Sequence, residues 1–443
     1  MDRATAEVII RDSQTRKPEQ GIPRELKVPL DLALRKSITI TGPRRSGKTF
    51  FLHQAADALC EKSERNRSLF VTLDDDRFFP ATLEDLDRLV KVYFEMYPEL
   101  EDSRCYFFFD EIQAVPGWEL FIRRLIDTRN IMAFISGSSS RLLGREIATS
   151  LRGRTLGYEL YPFGIFEFFA ARKHAPENPA HLTSKEEGRT KHLLSEYLHF
   201  GGFPEVVLAE RDLKEKILSE YCQTMLYRDI IERNGIRNLR AVRIFMKLMV
   251  TGYAKEFSVN RMYMFLKAQQ FTLAKTSLYE YLEWFIDAMA VFPLHKLSRS
   301  IKETEQSIPK LYVSDTGYTV PYVIGTADQD VGRRMENALF MHLKRSGYVE
   351  NSSLFYYKTR NGKEIDFVLK GQRVIETLIQ VCYDISNGDT RRRECEALHE
   401  ASGELGCKKQ MVITWDYEET EKEISFIPLW KYLYRSVYHS QHE

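Results

Sequence analysis

The chain has 443 residues, and 43% hydrophobic beside 29% charged residues are the proportions of a globular protein with sizeable cores. They exclude a wholly disordered chain, a collagen-like repeat and a disulfide-stapled miniprotein. With 64 Lys+Arg against 63 Asp+Glu the formal charge is +1, so any nucleic-acid surface has to be a local patch.

In chain order, Ser37 to Thr41 reads as a buried strand and Gly47 to Leu59 as a helix, with Phe51, Leu52, Ala55 and Leu59 on one face. Ser68 to Leu73, Arg104 to Phe109 and Ile131 to Ser136 read as further strands. This alternation predicts an α/β domain on a parallel sheet over residues 1–175. Residues 174–190, opened by His-Ala-Pro-Glu-Asn-Pro-Ala, read as a linker or insertion. Residues 191–330 turn helical, with Tyr221 to Asn234, Ala241 to Tyr253 and Leu278 to Ala290 as helices. Within them residues 257–315 suit a winged helix: Ser258 opens one helix, Thr276-Ser277 caps the next, and 291–297 with 309–314 supply the wing strands. Residues 331–443 return to mixed α/β, with Glu336 to Arg345 helical and Leu354 to Thr359, Lys363 to Leu369 and Val374 to Cys382 extended. Met246, Met249, Met262 and Met264 suit a core better than a partner groove.

No stretch approaches the roughly 18 consecutive apolar residues of a membrane span. Residues 1–20 are polar and lack the apolar region of a secretory signal, so the expectation is a cytoplasmic protein without a membrane anchor. Six scattered cysteines form no Cys-x-x-Cys pair, which suits free thiols and disfavours a zinc site.

The sharpest motif is Gly42-Pro43-Arg44-Arg45-Ser46-Gly47-Lys48-Thr49, a full G-x-x-x-x-G-K-T between a strand and a helix. Its glycines let backbone N–H groups curl around phosphate oxygens at a positive helix N-terminus. Lys48 is placed to reach the β- and γ-phosphates and the Thr49 hydroxyl to ligate Mg²⁺. Sixty residues on, Tyr106-Phe107-Phe108-Phe109 ends in Asp110-Glu111, which puts two acids at the C-terminal edge of a sheet. Asp110 is assigned to Mg²⁺ through water, and Glu111 to polarising the attacking water as general base. Ser136 or Ser138, in Ile-Ser-Gly-Ser-Ser-Ser, takes a γ-phosphate sensor role or caps a helix at Arg141. Arg152 and Arg154 stabilise transition-state charge, from this chain or a neighbour, or serve structure; Arg44 and Arg45 touch phosphate or a partner domain, or are solvated.

These motifs resemble a known family. Gly42 to Thr49, Asp110-Glu-Ile-Gln, Gly137-Ser-Ser-Ser, Ser150-Leu-Arg-Gly-Arg, Leu160-Tyr-Pro-Phe, Phe200-Gly-Gly-Phe-Pro, Tyr227-Arg-Asp-Ile and Glu364-Ile-Asp-Phe recur, in this order, in prokaryotic AAA-type ATPases close to the STAND-like ATPases. The resemblance covers nearly the whole chain. It implies a P-loop ATPase domain, then a helical and winged-helix region, then an α/β fold resembling PD-(D/E)XK restriction endonucleases. It also implies that Gly202-Phe203-Pro204 contacts adenine, which makes Pro204 part of a sensor of ATP against ADP; the alternative is an ordinary helix-terminating turn.

In the nuclease-like segment Glu336 and Asp366 match two metal-holding acids. Where Glu-x-Lys is expected the chain reads Gln380-Val381-Cys382, and neither Glu364 nor Glu376 supplies the lysine's charge. The expectation is a degenerate, non-cleaving fold that still grips nucleic acid or protein. Lys296, Arg299, Lys302, Lys344, Arg345 and Arg391-Arg392-Arg393 offer local support for DNA contact. The whole reads as an ATP- and Mg²⁺-dependent hydrolase that drives a conformational switch, coupled to a DNA or protein partner. The alternatives are an ATP-licensed structure-specific nuclease and a nucleotide-gated scaffold with little turnover. The sequence leaves monomer and ring both open.

Overall fold

Short apolar runs bounded by polar turns build the first sheet. Its strands are β1 (Ser37–Thr41), β2 (Ser68–Thr72), β3 (Cys105–Asp110), β4 (Ile131–Gly137) and β5 (Thr155–Glu159). All pairs are parallel, in the order β2-β3-β4-β1-β5. Every residue of β1, β3 and β4 is buried, which a parallel sheet covered on both faces requires. On one face Phe51, Leu52, Ala55 and Leu59 of the helix Lys48–Cys60 pack on Ile38, Ile40, Phe108 and Phe134. The other face carries Phe107, Phe109 and Ile135 against the helices Leu83–Met96 and Trp118–Thr128. Thr82 and Asp85 close a capping box at the start of the first of these.

The computed structural model describes residues 1–17, 21–61, 64–139, 151, 153–174, 182–322 and 330–434. They divide into two compact units: Met1–Tyr161 with Asp287–Met289, and Pro162–Ile286 with Ala290–Glu443. The first unit thus ends at Tyr161, short of residue 175, and the helix Ile165–Ala171 belongs to the second. Residues 175–181 of the expected linker lie outside the described residues; its remainder joins the helix Ser184–Phe200.

In the second unit the helix Arg211–Thr224 runs on into a π-helical stretch, Met225–Glu232, that contains the Tyr227-Arg-Asp-Ile motif. The helix expected from Tyr221 therefore starts ten residues earlier. After Leu239–Thr251 come β6 (Lys255–Glu256), β7 (Val291–Leu294) and β8 (Lys310–Val313), an antiparallel sheet in the order β6-β8-β7. Ser258 caps Val259–Ala268 as expected of its type, whereas Lys275–Asp287 begins one residue before Thr276, so Thr276-Ser277 form its first turn and not its cap. Met246 and Met249 are buried in the core, but Met264 is 64% exposed and leaves that stripe.

The last sheet contains β9 (Leu354–Lys358), β10 (Glu364–Lys370), β11 (Ile375–Cys382), β12 (Gln410–Thr414), β13 (Glu419–Glu421) and β14 (Ile424–Pro428), ordered β13-β14-β12-β11-β10-β9. The helix Gly388–Leu405 covers it through Ala397, Leu398 and Ala401. The segments 191–330 and 331–434 share one compact unit, in which Lys296 bridges to Tyr356 of β9 and Val313 exchanges backbone bonds with the Asn337 side chain. Among the described residues no helix is long and apolar enough to cross a membrane.

Candidate nucleotide site

The loop between β1 and the helix Lys48–Cys60 needs its glycines for stated reasons. A Cβ on Gly42 meets the Leu160 carbonyl oxygen at 2.0 Å, and Gly47 holds φ +92° where the helix starts. Arg45 also takes a left-handed φ of 66°. Arg24, which the sequence reading passed over, braces the loop by donating to the carbonyls of Ser46 (2.7 Å) and Tyr161 (2.6 Å). The Lys48 ammonium is buried and donates to the carbonyls of Gly42 (3.1 Å) and Pro43 (3.0 Å), so it is held across the loop. Ser46 Oγ is buried without a hydrogen-bond partner.

The acidic pair is one strand further away than adjacency to the loop suggests, since β4 lies between β1 and β3. The gap is closed by side chains. The Thr49 hydroxyl donates to Asp110 Oδ2 at 2.6 Å. From β4, the Ser136 hydroxyl donates to Asp110 Oδ1 and accepts from the Glu111 amide at 3.2 Å. Burial pushes the Asp110 carboxyl above its ordinary range, against the opposing effect of these two hydroxyls. Glu111 sits at φ 52°, ψ 46°, a left-handed conformation that is costly for a non-glycine residue, and Gln113 donates its amide to Glu111 Oε2. A hydroxyl beside a buried carboxylate is an all-oxygen donor set, which fits a hard divalent cation such as Mg²⁺.

Three family models match the chain consecutively: an AAA domain over residues 34–169, and domains of unknown function, DUF8612 over 191–330 and DUF4143 over 331–432. An uncharacterized protein of Methanocaldococcus jannaschii is 33% identical over 96% of this chain and 94% of its own. The chain belongs to the prokaryotic AAA-type P-loop ATPases. An uncharacterized protein of Haemophilus influenzae is 28% identical over 86% of this chain and 90% of its own. Among solved structures, a Walker-type ATPase of Pyrococcus abyssi is 14% identical, covering 73% of this chain and 96% of that one at a TM-score of 0.44. The Aeropyrum pernix Orc1 protein in complex with DNA is 12% identical, covering 72% and 89% at 0.29.

The other expected residues of this ATPase fall as follows. Ser138 is buried; Arg141 and Arg152 lie outside the described residues. Arg154 is a correction for a role on phosphate within its own chain. It precedes β5, its carbonyl accepts from Ser37 at the start of β1, and its guanidinium pairs with Asp127 at 2.7 Å. The length of β1, about 13 Å, separates it from the loop. In the second unit Pro204 opens the short helix Pro204–Leu208, and the Gly202 amide before it donates to Asp315 Oδ2 at 2.7 Å.

The acids of the C-terminal segment do converge. Glu336, Glu364 and Asp366 surround one buried cation, the ammonium of Lys310 on β8. The missing charge is therefore present, supplied from outside the segment where it was sought. Gln380 accepts from the Asp366 amide (3.2 Å) and donates to Glu394 (2.6 Å), and Glu376 is exposed. Of the basic clusters, Arg391 pairs with Glu419 and Glu421, Arg392 with Asp389, Arg393 with Glu394 and Lys344 with Glu350. These charges are largely neutralised at home. Lys296, Arg299 and Lys302 make no ion pair among the described residues.

Proposed function

We propose that this ATPase hydrolyses Mg-ATP at the loop Gly42–Thr49, with Glu111 as general base and Lys48 on the phosphates. The carrying observation is the Thr49–Asp110–Ser136–Glu111 chain of hydrogen bonds, which ties the loop to the acidic pair across β4. When phosphate enters, the Lys48 ammonium exchanges the carbonyls of Gly42 and Pro43 for phosphate oxygens. Thr49 and Asp110 hold Mg²⁺, which when bound neutralises charge on the β- and γ-phosphates. Ser136 then keeps two things in register: it orients Asp110 through Oδ1 and fixes the backbone from which Glu111 projects. Glu111 takes the proton of the attacking water, and Gln113 holds its carboxylate until then.

We further propose that turnover switches the C-terminal segments and is coupled to a partner. The winged-helix reading of residues 257–315 leaves Lys296, Arg299 and Lys302 as its unneutralised basic stretch, the one feature that favours DNA over protein. Steady-state phosphate release with Mg-ATP at low salt, without and then with duplex DNA, tests this. Stimulation by DNA that is lost in the triple Lys296→Ala, Arg299→Ala, Lys302→Ala variant supports the DNA reading. Turnover indifferent to DNA makes a protein the partner. A wild-type protein that binds ATP and releases no phosphate under either condition overturns the hydrolase.

A further inference from the structure

Lys310 is a charged residue that opens the apolar strand β8, followed by Leu311, Tyr312 and Val313, all buried. A lysine is almost never fully buried unless it is paired, and this one is 2% exposed and paired three times. Its Nζ stands 2.6 Å from Glu336 Oε1, 3.0 Å from Glu364 Oε1 and 3.0 Å from Asp366 Oδ1. An ammonium has three donors, and each has a carboxylate oxygen. The distances are those of charge-assisted hydrogen bonds; a divalent ion at the same point would draw its oxygens in to roughly 2.0–2.6 Å.

The rest of the centre is also spoken for. Tyr312 on the same strand donates to Glu336 Oε1 at 2.6 Å, the Val381 amide donates to Asp366 Oδ2 at 2.9 Å, and Lys358 faces Glu364 Oε2 at 3.7 Å. Gln380 is committed to Asp366 and Glu394. Among the described residues no three His, Cys, Asp or Glu side chains are set to hold a metal ion.

We propose that Lys310 is the resident cation of this centre: delivered on β8, its ammonium occupies the position between Glu336, Glu364 and Asp366 that a divalent ion would otherwise take. The consequence is a C-terminal domain closed to metal and to metal-dependent cleavage of phosphodiesters. A tethered ammonium is not diluted away and meets its carboxylates at a high effective concentration. It also fastens β8 to β10 and to the helix Val331–Arg345, so the charge that silences the centre is the one that joins two segments of the second unit.

The proposal is independent of nucleotide chemistry, and Mn²⁺ bound to the full chain without nucleotide tests it by electron paramagnetic resonance. Binding at Thr49 and Asp110 is common to every variant and cancels in the differences. Wild type and Asp366→Asn are expected to bind the same number of Mn²⁺ ions, whereas Lys310→Ala gains one equivalent and Lys310→Ala/Asp366→Asn loses it again. The melting temperature should follow: Mn²⁺ raises that of Lys310→Ala by several degrees beyond its effect on wild type. Lys310→Met, which keeps the stem of the side chain, replaces the alanine variant if that chain does not fold. A wild-type Mn²⁺ site that Asp366→Asn abolishes overturns the proposal without any change at Lys310. So does a folded Lys310 variant that takes up no additional ion.

Discussion

Thr49, at the start of the helix that follows β1, and Asp110, at the end of β3, are joined by a 2.6 Å hydrogen bond although β1 and β3 are not neighbours in the sheet. The contact spans β4, and β4 supplies Ser136 to complete it. Three elements thus share one buried carboxylate, and three hydrogen bonds run from the Thr49 hydroxyl to the Glu111 backbone. That short path gives the proposed ATPase its coupling of metal, loop and base.

Ser136→Ala removes the hydroxyl that serves both Asp110 and the Glu111 amide. Turnover should fall by about tenfold to a hundredfold, within the range of a lost positioning contact, and the Mg²⁺ concentration for half-maximal rate should rise. ATP affinity should change little. A variant with wild-type turnover and wild-type Mg²⁺ dependence contradicts the role given to Ser136.

Lys48→Ala should abolish ATP binding, because the ammonium is the loop's own cation for phosphate. Arg154→Ala should leave the ATPase rate of the isolated chain unchanged, because its guanidinium is occupied with Asp127 at the end of the strands opposite the loop. Nucleotide titration and phosphate release compare the two directly. Equal losses in both variants contradict the placement of Arg154.

Asp315 gives a pH dependence. Burial pushes its carboxyl up to about 7, against the N–H donations of Gly202 and Gly317 and the charge of Arg345. Between an unfolded value near 3.8 and that folded value the native state binds a proton that the unfolded chain does not. Stability therefore falls as pH rises from about 4 to about 7 and levels off above, by up to about 4 kcal/mol at 1.36 kcal/mol per unit. Denaturant unfolding at pH 5 and pH 8 should show about 3 kcal/mol of this loss in wild type, the two units between pH 5 and 7, and little of it in Asp315→Asn. Parallel losses in both proteins would falsify the assignment to Asp315.

Lys310→Ala strands three carboxylates around a void, and breaking a buried pair from one side costs about 3–5 kcal/mol. Unfolding in metal-free buffer should register a loss of that size. Lys310→Ala/Asp366→Asn should recover part of it, since fewer like charges then face each other. A cost below about 1 kcal/mol would mean that the ammonium is not the charge that holds this centre together.

The sequence carried a good part of this site and left out a particular part. Gly42 to Thr49 and Asp110-Glu111 were legible because their chemistry is local: a loop and a strand end each write their function in consecutive residues. The order of strands was not legible, because the insertion of β4 between β1 and β3 depends on its pairing with β1, between residues 96 positions apart such as Ile38 and Phe134. From sequence Ser136 reads as a phosphate sensor or a helix-capping turn, and its bond to Asp110 shows only through strand pairing. Lys310 escaped for the same reason, since its partners lie 26, 54 and 56 positions away. One signal was nonetheless present: a lone lysine in Pro309-Lys310-Leu311-Tyr312-Val313 asks for a buried carboxylate. For Arg154 a motif position says nothing about which end of the strands it reaches, so its pairing with Asp127 needed the fold to be seen.

The central claim is that Glu111, held by the Ser136 bond behind Asp110, is the base that turns ATP binding into hydrolysis. Single-turnover phosphate release from Glu111→Gln, with ATP binding measured on the same preparation, tests it most directly. The account predicts unchanged ATP affinity with release slowed by about a hundredfold or more, the usual worth of a positioned base. Release at the wild-type rate from the fully ATP-bound variant would contradict it.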